Sequence, residues 1–262
     1  MKIGKRQKNP IMKVVRGLLL AVIIVCIIVL FKRGYNYYTN IQNKKFIDSI
    51  SEKAEEEIIE KNPNANKEEI ALEKLKRFQA INEDVVAYIE IPGTYVSYPI
   101  VQAADNDFYL RRGLDKEYDI AGSLFLDSIN NSEFNDENSV IYGHHLEIDS
   151  MFTALDGYRT EEFAKSHRTI YLTTVDGLRE YEVISAYGTP HDDNYRTVRF
   201  AYPEDKIKYF EEKAKKSEVN FNSKEFTTLD SFITLSTCQY DYDNQRLAVH
   251  AVMVKWVFLE PI

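Results

Sequence analysis

From Val85 onward the apolar residues of this chain recur at the period of β-strands, and that pattern limits the fold more than any other feature. Runs rich in Val, Ile, Tyr and Phe span 85–91, 95–101, 123–127, 138–142, 169–174, 179–187, 231–236 and 246–258. Pro92-Gly93, Gly122, Gly143, Asp176-Gly177 and Gly188 punctuate them, and Asp176-Gly177 is a hairpin-turn dipeptide. β-Branched and aromatic side chains suit a pleated, half-buried surface. About eight strands within one domain predict a closed barrel or a sandwich. One stretch departs from the pattern. Pro203 can open a helix, Glu204 and Asp205 suit its first turn, and Ile207, Phe210 and Ala214 recur at helical spacing. A helix over 203–219, inserted between two late strands, is therefore expected.

The N-terminal part reads differently. Val14 to Phe31 is apolar except for Arg16 and Gly17, close to the roughly 17–25 residues that a spanning helix needs. Lys2, Lys5, Arg6, Lys8, Lys13 and Arg16 lie before or at its start, and Lys32 and Arg33 follow it. The positive-inside bias then puts the N-terminus in the cytoplasm and the rest outside. The rival is a cleaved signal peptide, but Phe31-Lys32-Arg33-Gly34-Tyr35 is a poor cleavage site. In residues 35–80, Phe46, Ile50, Ala54 and Ile58 form one apolar stripe, and Ile70, Leu72, Leu75, Phe78 and Ile81 a second. Asn62-Pro63-Asn64 separates them. Two helices are expected, with a partly disordered stalk over 35–65 as the alternative. The organisation predicted is a cytoplasmic 1–13, a membrane anchor at 14–31, a helical extension at 32–80 and a β-domain at 81–262.

Charge follows this division. The formal net charge of −8 splits into +8 over residues 1–33 and −16 over the remainder. Phosphate backbones need a basic surface, so nucleic acid is excluded as a partner of the exported part. Cys26 lies in the apolar segment, where a thiol behaves as a small hydrophobe. That leaves Cys238 as the one thiol outside the membrane, without a disulfide partner within the chain. It ends the run Ile233-Thr234-Leu235-Ser236-Thr237-Cys238, and Arg246 opens the next strand. Upstream, Val140-Ile141-Tyr142-Gly143-His144-His145 is another strand ending in histidine. A lone cysteine with a distant histidine suits acyl transfer through a thioester. The histidine would protonate the leaving amine, and a guanidinium would stabilise the tetrahedral oxyanion.

The segments Thr234-Leu235-Ser236-Thr237-Cys238, Arg246 and Tyr142-Gly143-His144 resemble the active-site signatures of sortases, membrane-anchored cysteine transpeptidases of Gram-positive bacteria. The subtype resembles class B. Ser150-Met151-Phe152 after the two histidines, Asp105-Asn106-Asp107-Phe108-Tyr109-Leu110, Gly122-Ser123-Leu124-Phe125-Leu126-Asp127, the N-terminal helices and the inserted helix all fit it. The resemblance covers roughly Val85 to the C-terminus and implies a mainly β fold with a closed eight-stranded barrel. It implies His144 as general acid/base, Cys238 as nucleophile and Arg246 as oxyanion and substrate clamp. It also implies a groove lined by Asn106 and Leu110 on one side and by His191, Tyr195 and Arg196 on the other, with Thr237 beside the nucleophile. The implied partners are surface proteins bearing a sorting signal that is cut after threonine, and an amine of peptidoglycan or its lipid-linked precursor. In some members the amine is a pilin lysine.

Other readings of the same residues define what the structure must decide. Cys238 alone would pass for an inert core cysteine, and Arg246 could simply pair with Asp241 or Asp243. His144 competes with His145, which strand alternation would turn the other way. His250 shares a strand with Arg246 and is expected to be a satisfied strand histidine; His167 is expected at the surface. No Cys-x-x-Cys pair or EF-hand spacing occurs, so neither a metal nor another cofactor is expected. A hydrolytic cysteine peptidase and a non-catalytic membrane-tethered binding module are the functional rivals.

Overall fold

The structure, a computed structural model, describes residues 10–146, 149–238 and 244–258, with Pro10 and Cys238 described by their backbone alone. Two compact units divide the chain, Met1–Gln42 and Asn43–Ile262.

Helix α1 (Pro10–Lys61) supplies the described part of the first unit and runs on into the second. Its most apolar window has a mean hydropathy of 3.1 and is 0% buried, so it is long and apolar enough to cross a membrane. The expected anchor and the first expected extension helix thus fall in one helix. Gly34 is the weakest helix former at their junction, and a single glycine inside a helix costs only about 1 kcal/mol.

In the second unit the break falls where Pro63 predicts it. Asn66 then caps α2 (Lys67–Ile81): its side chain accepts from the Glu69 amide at 2.8 Å, and the Glu69 carboxylate accepts from the Asn66 amide at 2.9 Å. Ala71, Leu75 and Phe78 are the buried face of α2, and Phe78 stacks on Tyr88 of the first strand.

Eight strands among the described residues close a barrel: β1 (Val85–Glu90), β2 (Ser97–Val101), β3 (Leu124–Leu126), β4 (Asn138–Tyr142), β5 (Thr169–Thr174), β6 (Gly177–Pro190), β7 (Phe232–Cys238) and β8 (Gln245–Phe258). Their order around it is β1-β2-β3-β4-β7-β8-β6-β5. The β2–β3 and β4–β7 pairs are parallel and the others antiparallel. Each strand lies on one of the strand-period runs. The β5–β6 hairpin pairs Thr174 with Gly177, so Val175 and Asp176 form the turn and Gly177 opens β6.

Ile89, Ile100, Ile141, Leu172, Val183, Ile233, Leu235, Leu247 and Val249 are fully buried in the main core. Burying one such side chain contributes roughly 1.5–3 kcal/mol. Three short helical segments escape the sequence pattern: 3-10 turns at Phe108–Arg111 and Thr153–Arg159, and α3 (Glu161–Ser166). The inserted helix α4 (Pro203–Lys216) stops three residues short of the expected end, at a Ser217 cap. It stacks Phe210 on Phe232 at a centroid distance of 3.6 Å, outside the barrel against β7.

Candidate active site

Three neighbouring strands bring the expected catalytic positions to one end of the barrel. β4 and β7 run parallel with Tyr142 opposite Ser236, and the Gly143 amide extends the pairing by donating to the Ser236 carbonyl at 3.0 Å. His144 and Cys238 each lie two residues beyond that rung. On the other side, β7 and β8 are antiparallel with Cys238 opposite Arg246. Alternation along a strand then sets Phe232, Thr234 and Ser236 in one file, opposite Val252, His250 and Ala248.

Gly143 makes the exit from β4 possible. A Cβ there would lie 2.4 Å from Leu124 Cδ2 and 2.6 Å from Phe152 Cδ2, closer than carbon atoms approach. The chain turns past this contact, and His144 meets the 3-10 turn Phe108–Arg111. Its Nε2 is 2.7 Å from the Leu110 carbonyl oxygen. A carbonyl oxygen only accepts, so Nε2 carries a proton here and Nδ1 is the nitrogen left for proton exchange. Gly122 packs against the same turn with φ +60°; a Cβ there would lie 2.6 Å from the Tyr109 oxygen and 2.7 Å from that of Leu110. Burial holds the His144 imidazole below its ordinary pKa. The Leu110 carbonyl and Asp119 oppose this, and Arg111 and Arg246 reinforce it.

Arg246 is partly buried, and its Nη1 donates to the Gln245 carbonyl at 3.0 Å. Asp241 and Asp243, the alternative partners weighed for it, lie outside the described residues.

The expected groove residues divide. Leu110 is 38% exposed. Asn106 donates to Asp127 Oδ1 at 3.1 Å and accepts from the Ser128 amide at 2.8 Å. His191 and Arg196 are exposed on the β6–α4 connection, Arg196 with its guanidinium 5.2 Å from the Tyr195 ring centroid and beside the Tyr142 hydroxyl. Tyr195 and Thr237 depart from the expectation of groove-lining side chains. Tyr195 is 1% exposed and packs with Tyr187 and Ala248, its hydroxyl 3.0 Å from Ser236 Oγ. Thr237 is 2% exposed.

The other histidines separate cleanly. His145 Nε2 is 2.6 Å from an Asp156 carboxylate oxygen, away from the Leu110 contact of His144; β4 has ended at Tyr142, so loop geometry and not strand alternation divides the two. His250 is fully buried in a chain of hydrogen bonds. Thr234 Oγ1 donates to Asn138 Oδ1 at 2.9 Å, so His250 Nδ1 donates to Thr234 at 2.9 Å and Nε2 accepts from the Tyr187 hydroxyl at 3.1 Å. Burial lowers its pKa to about 3. His167 is half-buried, not a surface residue, with its ring stacked on Phe163 at 4.0 Å. Among the described residues no group of three or more His, Cys, Asp or Glu is placed to hold a metal ion.

Sequence reasoning missed the main-chain carbonyl of Leu110 and the flanking Arg111 and Asp119. A carbonyl carries no residue-type signal, and both charged residues sit in an irregular connection.

Comparison with known proteins identifies the family. Residues 89–254 match the Sortase domain family model. Sortase B of Listeria monocytogenes serovar 1/2a is 32% identical over 228 residues, covering 86% of this chain and 90% of that protein. The Staphylococcus aureus sortase B–substrate complex superposes with a TM-score of 0.73 at 28% identity, over 82% of this chain and 98% of the other. Clostridium perfringens sortase B gives a TM-score of 0.66 at 33% identity, over 69% of this chain and 99% of the other. With this family match over most of its barrel and the strand ends arranged as described, the chain belongs to the sortase family, in its class B branch, and is a sortase-type cysteine transpeptidase.

Proposed function

We propose that this protein is a single-pass membrane enzyme, with a cytoplasmic N-terminus and an external barrel, that cuts the sorting signal of surface proteins after a threonine and joins the new carboxyl end to an amine of peptidoglycan or its lipid-linked precursor. The observation that carries the reading is the register: Cys238 is paired with Arg246 across β7–β8, and His144 follows the parallel rung next to it.

In the proposed cycle the Cys238 thiolate attacks the threonine carbonyl carbon. The oxygen becomes an oxyanion, which the Arg246 guanidinium stabilises without losing its own proton. The tetrahedral intermediate collapses as imidazolium His144 protonates the leaving amine, and a thioester remains. The acceptor amine attacks the thioester, neutral His144 takes its proton, and the new amide leaves as the thiolate is regenerated. His144 is held below its ordinary pKa, chiefly by burial. Burial therefore disfavours the imidazolium that starts the cycle. The basic flanks of the apolar helix support the stated topology.

The test uses the full chain and its Cys238→Ala variant with threonine-containing sorting peptides and candidate amines such as oligoglycine and diaminopimelate, with products read by mass spectrometry. Cys238-dependent joining of peptide to amine at threonine is the expected result. Hydrolysis alone with every amine would favour the peptidase, a pilin lysine as sole acceptor would favour pilus assembly, and full activity in Cys238→Ala would overturn the mechanism.

A further inference from the structure

The connection between β2 and β3 carries the His144 partner, and it is bolted to the N-terminal helices at two points. Asn82, the residue that ends α2, is 3% exposed and donates from Nδ2 to the Tyr109 hydroxyl and to the Leu114 carbonyl, both at 2.9 Å. The Tyr109 hydroxyl in turn donates to Asp84 Oδ2 at 2.5 Å, and Lys116 reaches the same carboxylate at 3.0 Å. Tyr109 is 1% exposed. The second point is Asn43 of α1, whose side-chain amide donates to Asp119 Oδ2, while the Asp119 amide donates to the Arg111 carbonyl at 3.1 Å. Leu110 sits between these fixings. Its neighbour on one side is the buried Tyr109, and on the other Arg111.

We propose that Tyr109, pinned by Asn82 and Asp84 at the end of α2, is a positioning residue for catalysis: it fixes the Leu110 carbonyl and through it the tautomer and orientation of His144. The inference rests on the reading of His144 as the acid/base. A hydroxyl buried this deeply needs partners, and here both lie at the α2–β1 junction, outside the barrel wall that carries the catalytic positions. The bond at stake is short. A carbonyl displaced by an ångström no longer selects the Nε2–H form, and the proton then divides between the two nitrogens. Charged groups also face the ring: Arg111 and Asp119 from the same connection, and Arg246 from β8. Tyr109→Phe touches none of these. It also leaves Asp84 with Lys116 and Asn82 with the Leu114 carbonyl, so each former partner keeps a contact.

The experiment uses the full chain in detergent, labelled with 15N-histidine, and reads the His144 tautomer from long-range 1H–15N spectra, with His144→Gln identifying the resonance. In the unmodified protein Nε2–H is expected to dominate. In Tyr109→Phe, the Nδ1–H share rises and kcat for peptide transfer falls about tenfold, a part of the 10²–10⁴ that a placed acid/base contributes, with KM and unfolding midpoint unchanged. Asp84→Asn keeps an acceptor for the Tyr109 hydroxyl and retains the Nε2–H form. A folded Tyr109→Phe with unmodified tautomer shares, or with unmodified kcat, overturns the proposal. So does a loss in Asp84→Asn as large as in Tyr109→Phe, because charge and not position would then be the cause. Activity in His144→Gln would instead overturn the acid/base assignment itself, whatever Tyr109→Phe does.

Discussion

His144 Nε2 lies 2.7 Å from the carbonyl oxygen of Leu110, so a main-chain atom selects which nitrogen of the imidazole carries the proton. Burial holds this ring below its ordinary pKa, and the Arg111 guanidinium acts in the same direction. Removing that positive charge favours the protonated ring. Arg111→Gln should therefore move the His144 titration midpoint upward, from below 6.5 toward it, as followed by histidine NMR. A midpoint that stays or falls would exclude Arg111 as a contributor.

Arg246→Lys tests the geometry of oxyanion stabilisation. Lysine keeps the charge and loses the planar two-pronged donor set. Loss of one oxyanion donor costs about 10²–10³ in kcat in other acyl-transfer enzymes, and a fall of about 10² is expected here in peptide-cleavage kinetics. Turnover equal to the unmodified protein would remove Arg246 from that role.

Gly143→Ala places a methyl group into Leu124 and Phe152. Overpacking of this kind costs about 1–3 kcal/mol, and the displaced residue is the one next to His144. The variant should lose both stability and most of its kcat, with denaturation and steady-state rates as the measurements. A stable, fully active Gly143→Ala would show that the turn can be rebuilt without moving the histidine.

His250 gives the barrel a stability that depends on pH. In the folded chain its pKa is about 3, against 6.5 for the free side chain. Between those values the unfolded chain binds a proton that the folded chain does not, so stability falls as pH falls through that window and is unaffected above it. At pH 5 the cost is about 2 kcal/mol relative to pH 7. In His250→Gln the drop between pH 7 and pH 5, read from denaturant midpoints, should shrink by about that amount. An unchanged drop would mean that other groups carry it.

The strands were legible because Val, Ile and Tyr recur at period two within short bounded runs, and α4 was legible from Pro203 and the acids after it. The barrel order was not, since nothing in residues 138–142 says that their partner lies at 232–236. Short helical turns at Phe108 and Thr153 were hidden because they are too brief to show a period. At the site, the chain itself marks Cys238, His144 and Arg246 through residue type and strand position. Tyr195 misled, because a tyrosine in a polar loop reads as exposed, whereas here its ring fills the space over Ala248 and its hydroxyl finds Ser236. The partner of His144 had no signature at all, being a carbonyl that any residue would supply.

The parallel pairing of β4 with β7 joins distant stretches of chain; the Asn138–Thr234 contact beside it spans 96 residues. Closing so long a loop is entropically unfavourable, and pairings of this kind form late in folding. A chain emerging N-terminus first presents His144 well before Cys238. In the proposed mechanism the thiol therefore acquires its proton partner and its guanidinium only when the last two strands dock. Until then, on that mechanism, it is an ordinary cysteine, and an incompletely folded chain lacks the means to cleave its neighbours.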